Sequence, residues 1–152
     1  SPHDTQSDIR NEMVEIMDRT TGKESPSANK AVSGAEIIQM RELARGVPMA
    51  SHVKDFVARL VLATHPEDPN GSPLVKKFVR YGVSPRGAQA LTLGAKVTAL
   101  LNGRFNVAFD DVKAVAPAAL RHRLLLNFDG LAEGVKTDDV IGELVSAIPV
   151  QG

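Results

Sequence analysis

The chain has 152 residues, with 18 basic and 18 acidic side chains, no cysteine and no tryptophan. That length allows one domain with a real core, or a domain plus an appendage. The missing cysteines exclude a disulfide framework, a thiolate metal site and a thiol nucleophile, and no apolar run approaches the length of a membrane span.

No signal peptide opens the chain, so a soluble cytoplasmic protein with no membrane contact is expected. Aromatic residues are few (Phe56, Phe78, Tyr81, Phe105, Phe109 and Phe128). The core must then be aliphatic, which suits packed helices. Residues 1–4 read as a frayed start, and Ser1 as a scar of expression. Over residues 6–19, Ile9, Met13, Ile16 and Met17 recur at helical spacing, with acidic residues early and Arg19 late. Residues 20–32 are rich in Thr, Ser, Gly, Lys, Pro and Asn and read as a linker. Gly22-Lys23 within it resembles the end of a phosphate-binding loop. That loop needs an earlier glycine where Met17 stands and a Ser or Thr where Glu24 stands, so the match fails.

Ser33 and Glu36 form a capping box that opens a second helix, with Ile37, Ile38, Met40, Leu43 and Ala44 as its apolar side. After Val47-Pro48 a third helix is expected over residues 50–64, through Val53, Phe56, Val57, Leu60 and Val61. So short a link predicts that these two helices pack as a hairpin. Three prolines and Asn70-Gly71 make residues 65–73 an exposed loop, with His65 closing the helix before it. A short helix over 73–80 follows.

The stretch from Tyr81 to Gly103 has the clearest start and stop in the chain. Ser84 suits an N-cap and Pro85 the first helical position. Ala88, Leu91, Ala95, Thr98 and Leu101 form an apolar face, and Asn102-Gly103 a left-handed stop. Arg86 lies in the first turn, where the helix is already partly positive. An arginine there is either solvated or paired with a nearby carboxylate, or it reaches an anion, for which the guanidinium fork suits phosphate oxygens.

Residues 104–109 alternate like a strand, and Leu124 to Phe128 read as its partner in a two-stranded ribbon. Between them a helix opens at Asp110 or Ala108, with Asp110 the better cap, and Pro117 should kink it. A last helix is capped by Thr137 and carries Val140, Ile141, Leu144, Val145 and Ile148.

Catalytic chemistry is not assembled by these residues. His3, His52, His65 and His122 are scattered and match no metal-ligand spacing. Asp110-Asp111 and Asp138-Asp139 sit at expected helix starts, where the helix dipole favours carboxylates. Arg121-His122-Arg123 is either a solvated basic turn or a contact surface. From Lys76 to Arg123 nine basic residues stand against two acidic ones, a net +7, leaving −7 elsewhere. Such segregation points to an anion or an acidic partner, provided the side chains share a face.

The segment Tyr81-Gly82-Val83-Ser84-Pro85-Arg86-Gly87-Ala88 closely resembles the sensor-2 segment of MoxR-type AAA+ ATPases. The resemblance continues in order through Ala95-Lys96, Leu100 to Arg104, Asp110 to Pro117, Leu120 to Leu124 and Ala132 to Val140. It covers residues 33–149. Where the family has Thr-Pro, this chain has Ala108-Phe109. The resemblance implies an all-α fold: the helical-bundle lid domain of an AAA+ protein over residues 33–152, with one short β ribbon. Residues 1–20 would be the last helix of the AAA+ core and 21–32 a linker. It further implies that Arg86 is both the catalytic and the ATP-binding residue, reaching the β/γ-phosphates of ATP and Mg2+ held by that core. The parent would be an ATP hydrolase, hexameric and chaperone-like, contacting its own core, neighbouring subunits and a von Willebrand A-domain protein; this chain alone would not be catalytic. The alternatives are a nucleic-acid-binding helical module and a free-standing helical adaptor. The alanine-rich character of the Arg86 helix and the lack of stacking aromatics count against nucleic acid.

Overall fold

The computed structural model describes Asn11 and residues 34–69 and 71–150. Apart from Asn11, the helix expected over 6–19, the linker over 20–32 and the Ser33 cap lie outside the described residues. Residues 34–150 form a helical bundle with one minimal ribbon. In chain order the elements are α1 (Gly34–Arg45), α2 (Ser51–Leu62), α3 (Pro73–Phe78), β1 (Val79–Tyr81), α4 (Pro85–Leu101), α5 (Phe109–Leu120), β2 (Leu125–Leu126), α6 (Phe128–Ala132) and α7 (Thr137–Ala147).

The 17-residue α4 is the axis of the domain. Its buried stripe is Gly87, Leu91, Ala95, Ala99 and Leu100, not the full set expected: Leu101 is exposed and Ala88 only half-buried. Small residues on this stripe let neighbours approach closely. Beside the stripe, a Cβ on Gly94 would lie 2.9 Å from Val115 Cγ2, so a larger residue there would force the α4–α5 contact to shift. Around α4, Phe56 and Leu60 of α2, Val112, Ala116 and Leu120 of α5, and Val140, Ile141 and Leu144 of α7 close one aliphatic core. Each fully buried Leu or Ile contributes about 1.5–3 kcal/mol relative to exposure.

Several expectations are corrected. Helices α1 and α2 do not pack as a hairpin; each packs chiefly on α4, because their link is absorbed into the core through Val47 and Met49. The ribbon partner is different too. Segment 104–107 is not a strand. Val107 does turn inward, but its amide donates to Pro48 O (3.2 Å) in the α1–α2 connector. Instead the end of the expected 73–80 helix unwinds into β1. That strand pairs antiparallel with β2, Val79 opposite Leu126 and Tyr81 opposite Leu125.

Helix starts also differ in detail. Ser84 holds the N-cap position of α4, but its side chain makes no capping bond. Ala108, not Asp110, is the N-cap of α5. Alanine has no acceptor to offer, so only the reciprocal half of a capping box operates, with Ala108 N–H donating to Asp111 Oδ2 (2.8 Å). Lys136, not Thr137, occupies the N-cap of α7. Helix α5 runs on through Pro117 to Leu120. Helix α6, not anticipated from sequence, is capped by Asn127, which accepts from Gly130 N–H (2.8 Å). The stop after α4 is as expected: Gly103 has φ +75°.

Candidate functional site

Beside the first half of α4 lies an open groove of about 840 Å³. Its walls are Arg86, Ala88, Gln89, Ala90, Thr92, Leu93 and Lys96 of α4, with Arg45 from the end of α1 and Arg123 from the turn after α5. Four cations from three parts of the chain face it, and no carboxylate lines it. Positive charge gathered in a lining that holds no carboxylate raises the local concentration of anionic ligands.

The four cations are not equivalent. Arg45 pairs with Glu42 at 2.8 Å on the exposed side of α1. Lys96 Nζ donates to Arg45 O at 3.2 Å, and its pKa is lowered, first by burial and then by Lys54. Arg123 donates to Ala119 O at 3.0 Å. Arg86 is exposed and, among the described residues, makes no hydrogen bond or ion pair. It is therefore the groove's uncommitted guanidinium, and it stands where α4 already presents the positive end of its dipole.

The position of Arg86 is set by its neighbours. The side chain of Val83 packs directly under the first turn of α4: a Cβ on Gly87 would lie 2.2 Å from Val83 Cγ1 and 3.2 Å from Arg123 Cδ. Gly87 thus lets Arg123 and Val83 close on the residue next to Arg86. A larger side chain would push the turn away.

The +7 segment does not form one patch. Arg104 forms a bidentate pair with the buried Asp111. Arg121 pairs with Asp138 through two 3.1 Å bonds, tying the end of α5 to the start of α7. Lys77 and Arg80 lie over the rings of Phe78 and Tyr81. Lys76 donates to Pro69 O. Of that segment, only Arg86, Lys96 and Arg123 reach the groove, and Arg45 joins from outside it. The triplet Arg121-His122-Arg123 is split between an internal ion pair and the groove.

The described histidines serve structure or surface. His52 is exposed with its ring 5.3 Å from that of Phe109. The His65 side chain does not cap α2 as expected: Nε2 donates across the chain to Val83 O at 2.7 Å, and Nδ1 lies 3.2 Å from Glu67 Oε1. Among the described residues no group of three or more His, Asp or Glu could hold a metal ion, and no helix is long and apolar enough to cross a membrane.

Sequence reading singles out Arg86 but not the residues beside it in the groove. Arg86, Gln89, Leu93 and Lys96 recur at spacings of three, four and three, which places them on one face of α4. That stripe is the available signal. Arg45 and Arg123 give none, since they arrive from elements distant in sequence.

Comparison with known proteins converges on one family. Residues 72–144 match the model of the AAA lid domain. The chain is 33% identical over 139 residues to the chaperone MoxR1 of Mycobacterium tuberculosis, covering 86% of this chain and 37% of that protein. It is 34% identical over 93 residues to protein MoxR of Paracoccus denitrificans, covering 56% of this chain and 27% of that one. A crystal structure of a protein from Cytophaga hutchinsonii, assigned as an ATPase, superposes with a TM-score of 0.72 at 28% identity, over 91% of this chain and 42% of that chain. The chain thus spans well under half the length of each of these relatives. These matches agree with one another, and the chain belongs to the MoxR family of AAA+ ATPases, of which it carries the lid domain.

Proposed function

We propose that this domain closes over a nucleotide held by an AAA+ core elsewhere in a longer ATPase, and that Arg86 is its sensor-2 arginine. The observation that carries the reading is the uncommitted guanidinium of Arg86 in a groove lined by three more cations and no carboxylate. A triphosphate fits this donor set, since a guanidinium binds phosphate oxygens through two parallel charge-assisted bonds. ATP with Mg2+ would bring the scissile phosphoanhydride; the ion would be held by residues outside this chain. Arg86 would bind the β/γ-phosphate oxygens and stabilise the charge that develops there during hydrolysis. Lys96 and Arg123 would keep the groove positive without competing for the same contact. Rigid attachment of Arg86 to α4 would couple nucleotide state to movement of the whole lid.

Residues 1–20 would be the end of that core and 21–32 the connecting segment. The parent would assemble as a ring, most simply a hexamer, and act in the cytoplasm as a chaperone-like ATPase in maturation of protein complexes. The name of the mycobacterial relative, a chaperone, supports that role. A von Willebrand A-domain protein is the partner the family resemblance suggests.

In the full-length enzyme, Arg86→Ala should reduce ATP turnover or affinity roughly ten- to hundred-fold, the effect of losing one charge-assisted contact of about 1.5–3 kcal/mol. Arg86→Lys should recover only part of it, because a point charge lacks the fork. Wild-type turnover and affinity in Arg86→Ala would refute the role.

A further inference from the structure

The turn that follows α2 grips Val83, just before the start of α4. Thr64 is fully buried, and its hydroxyl both donates to Val61 O (2.6 Å) and accepts from Val83 N–H (2.9 Å). The next residue, His65, donates from Nε2 to Val83 O (2.7 Å). Both backbone polar groups of Val83 are therefore held by side chains 18 and 19 residues earlier in the chain. A carbonyl can only accept, so Nε2 is the donor here, while Nδ1 lies 3.2 Å from Glu67 Oε1. The contact requires Gly82, since a Cβ there would lie 2.7 and 2.8 Å from imidazole carbons and 2.8 Å from the Thr64 carbonyl carbon. The side chain of Val83, 1% exposed, fills the space under Gly87 in the first turn of α4. Backbone and side chain of one residue thus join α2 to the turn that carries Arg86.

Ordinary helix starts need no such device. The N-cap side chain of α4 makes no capping bond, so α4 is not fixed at its own N-terminus by Ser84. We propose that Thr64 and His65 are positioning residues, a two-point latch on Val83 that fixes the direction in which Arg86 is delivered. The proposal deepens the sensor-2 reading and rests on it for its effect on hydrolysis. The latch acts through Arg86, so removing it should lower kcat more than it raises the KM for ATP: the arginine remains present but arrives misplaced at the developing charge.

The experiment is a double-mutant cycle in the full-length enzyme, paired with amide exchange in the 152-residue chain. His65→Ala should lower kcat about three- to ten-fold, and His65→Gln, which keeps an N–H donor at similar reach, should recover most of that loss. In the Arg86→Ala background His65→Ala should cost nothing further, because there is no arginine left to aim. Losses that multiply across the two sites would overturn the proposal, as would full activity in His65→Ala. Exchange separates this failure from failure of the sensor-2 reading. Thr64→Val and His65→Ala should each speed exchange of the Val83 amide about ten-fold or more while leaving that of Leu120 in α5 unchanged. If Arg86→Ala proves silent but the exchange result holds, the latch stands as a structural coupling and the sensor-2 reading falls. If Val83 exchange is unchanged in both variants, the latch itself is wrong.

Discussion

Asp111 is 1% exposed yet carries a carboxylate, and the surrounding residues account for it. Burial would raise its pKa, but the Arg104 guanidinium and the Ala108 amide both bond to the charged form and hold it below the ordinary value of 3.8. The folded state therefore binds fewer protons than the unfolded state in acid, and stability rises with pH across that window. The stabilisation is complete above about pH 5 and is lost as pH falls through the lowered folded value. Unfolding midpoints measured between about pH 2 and 6 should show this loss, and Asp111→Asn should flatten it. Asp111→Ala should cost about 1–3 kcal/mol at neutral pH, because it leaves a helix-start amide unpaired. Gly87 makes the second prediction at this scale. Gly87→Ala would place a methyl 2.2 Å from Val83 Cγ1, with Val83 too buried to swing away. A loss of about 1–3 kcal/mol in chemical denaturation is expected, against the gain in helix propensity that alanine would bring on an open surface.

At the scale of elements, the organising role of α4 was legible because its signals agree: Pro85 at the first position, apolar residues at helical spacing and a left-handed Gly103. Leu91 is fully buried at its centre, so Leu91→Ala should cost about 2–5 kcal/mol in chemical denaturation. The ribbon was legible in kind but not in pairing. Alternation over 104–109 is real, since Val107 is buried, but local pattern cannot say which backbone takes its amide. The true strands are three and two residues long, too short to show a period. The α1–α2 hairpin failed for a similar reason. A short link limits separation, but Val47 and Met49 in that link are themselves core residues and turn each helix toward α4.

For the molecule as a whole, the closed aliphatic core predicts that the 152-residue chain unfolds cooperatively on heating. The same chain, if it contributes only one side of a nucleotide site, should not be stabilised by ligand. Millimolar ATP with Mg2+ should leave its unfolding midpoint unshifted, since stabilisation follows the ratio of ligand to dissociation constant. Charge was the least legible property at this scale. The +7 segment suggested a patch, but Asp111 and Asp138 neutralise two of its arginines and aromatic rings lie under two more cations. The groove draws its fourth cation, Arg45, from outside the segment. Only folding reveals which charges meet.

The central claim concerns what the Arg86 guanidinium touches when the lid is attached to a nucleotide-bound core. Single-turnover hydrolysis of saturating ATP by full-length Arg86→Ala isolates that contact from substrate binding and product release. The account predicts a phosphoryl-transfer step slowed at least roughly ten-fold with the fold intact; a step at the wild-type rate would contradict it.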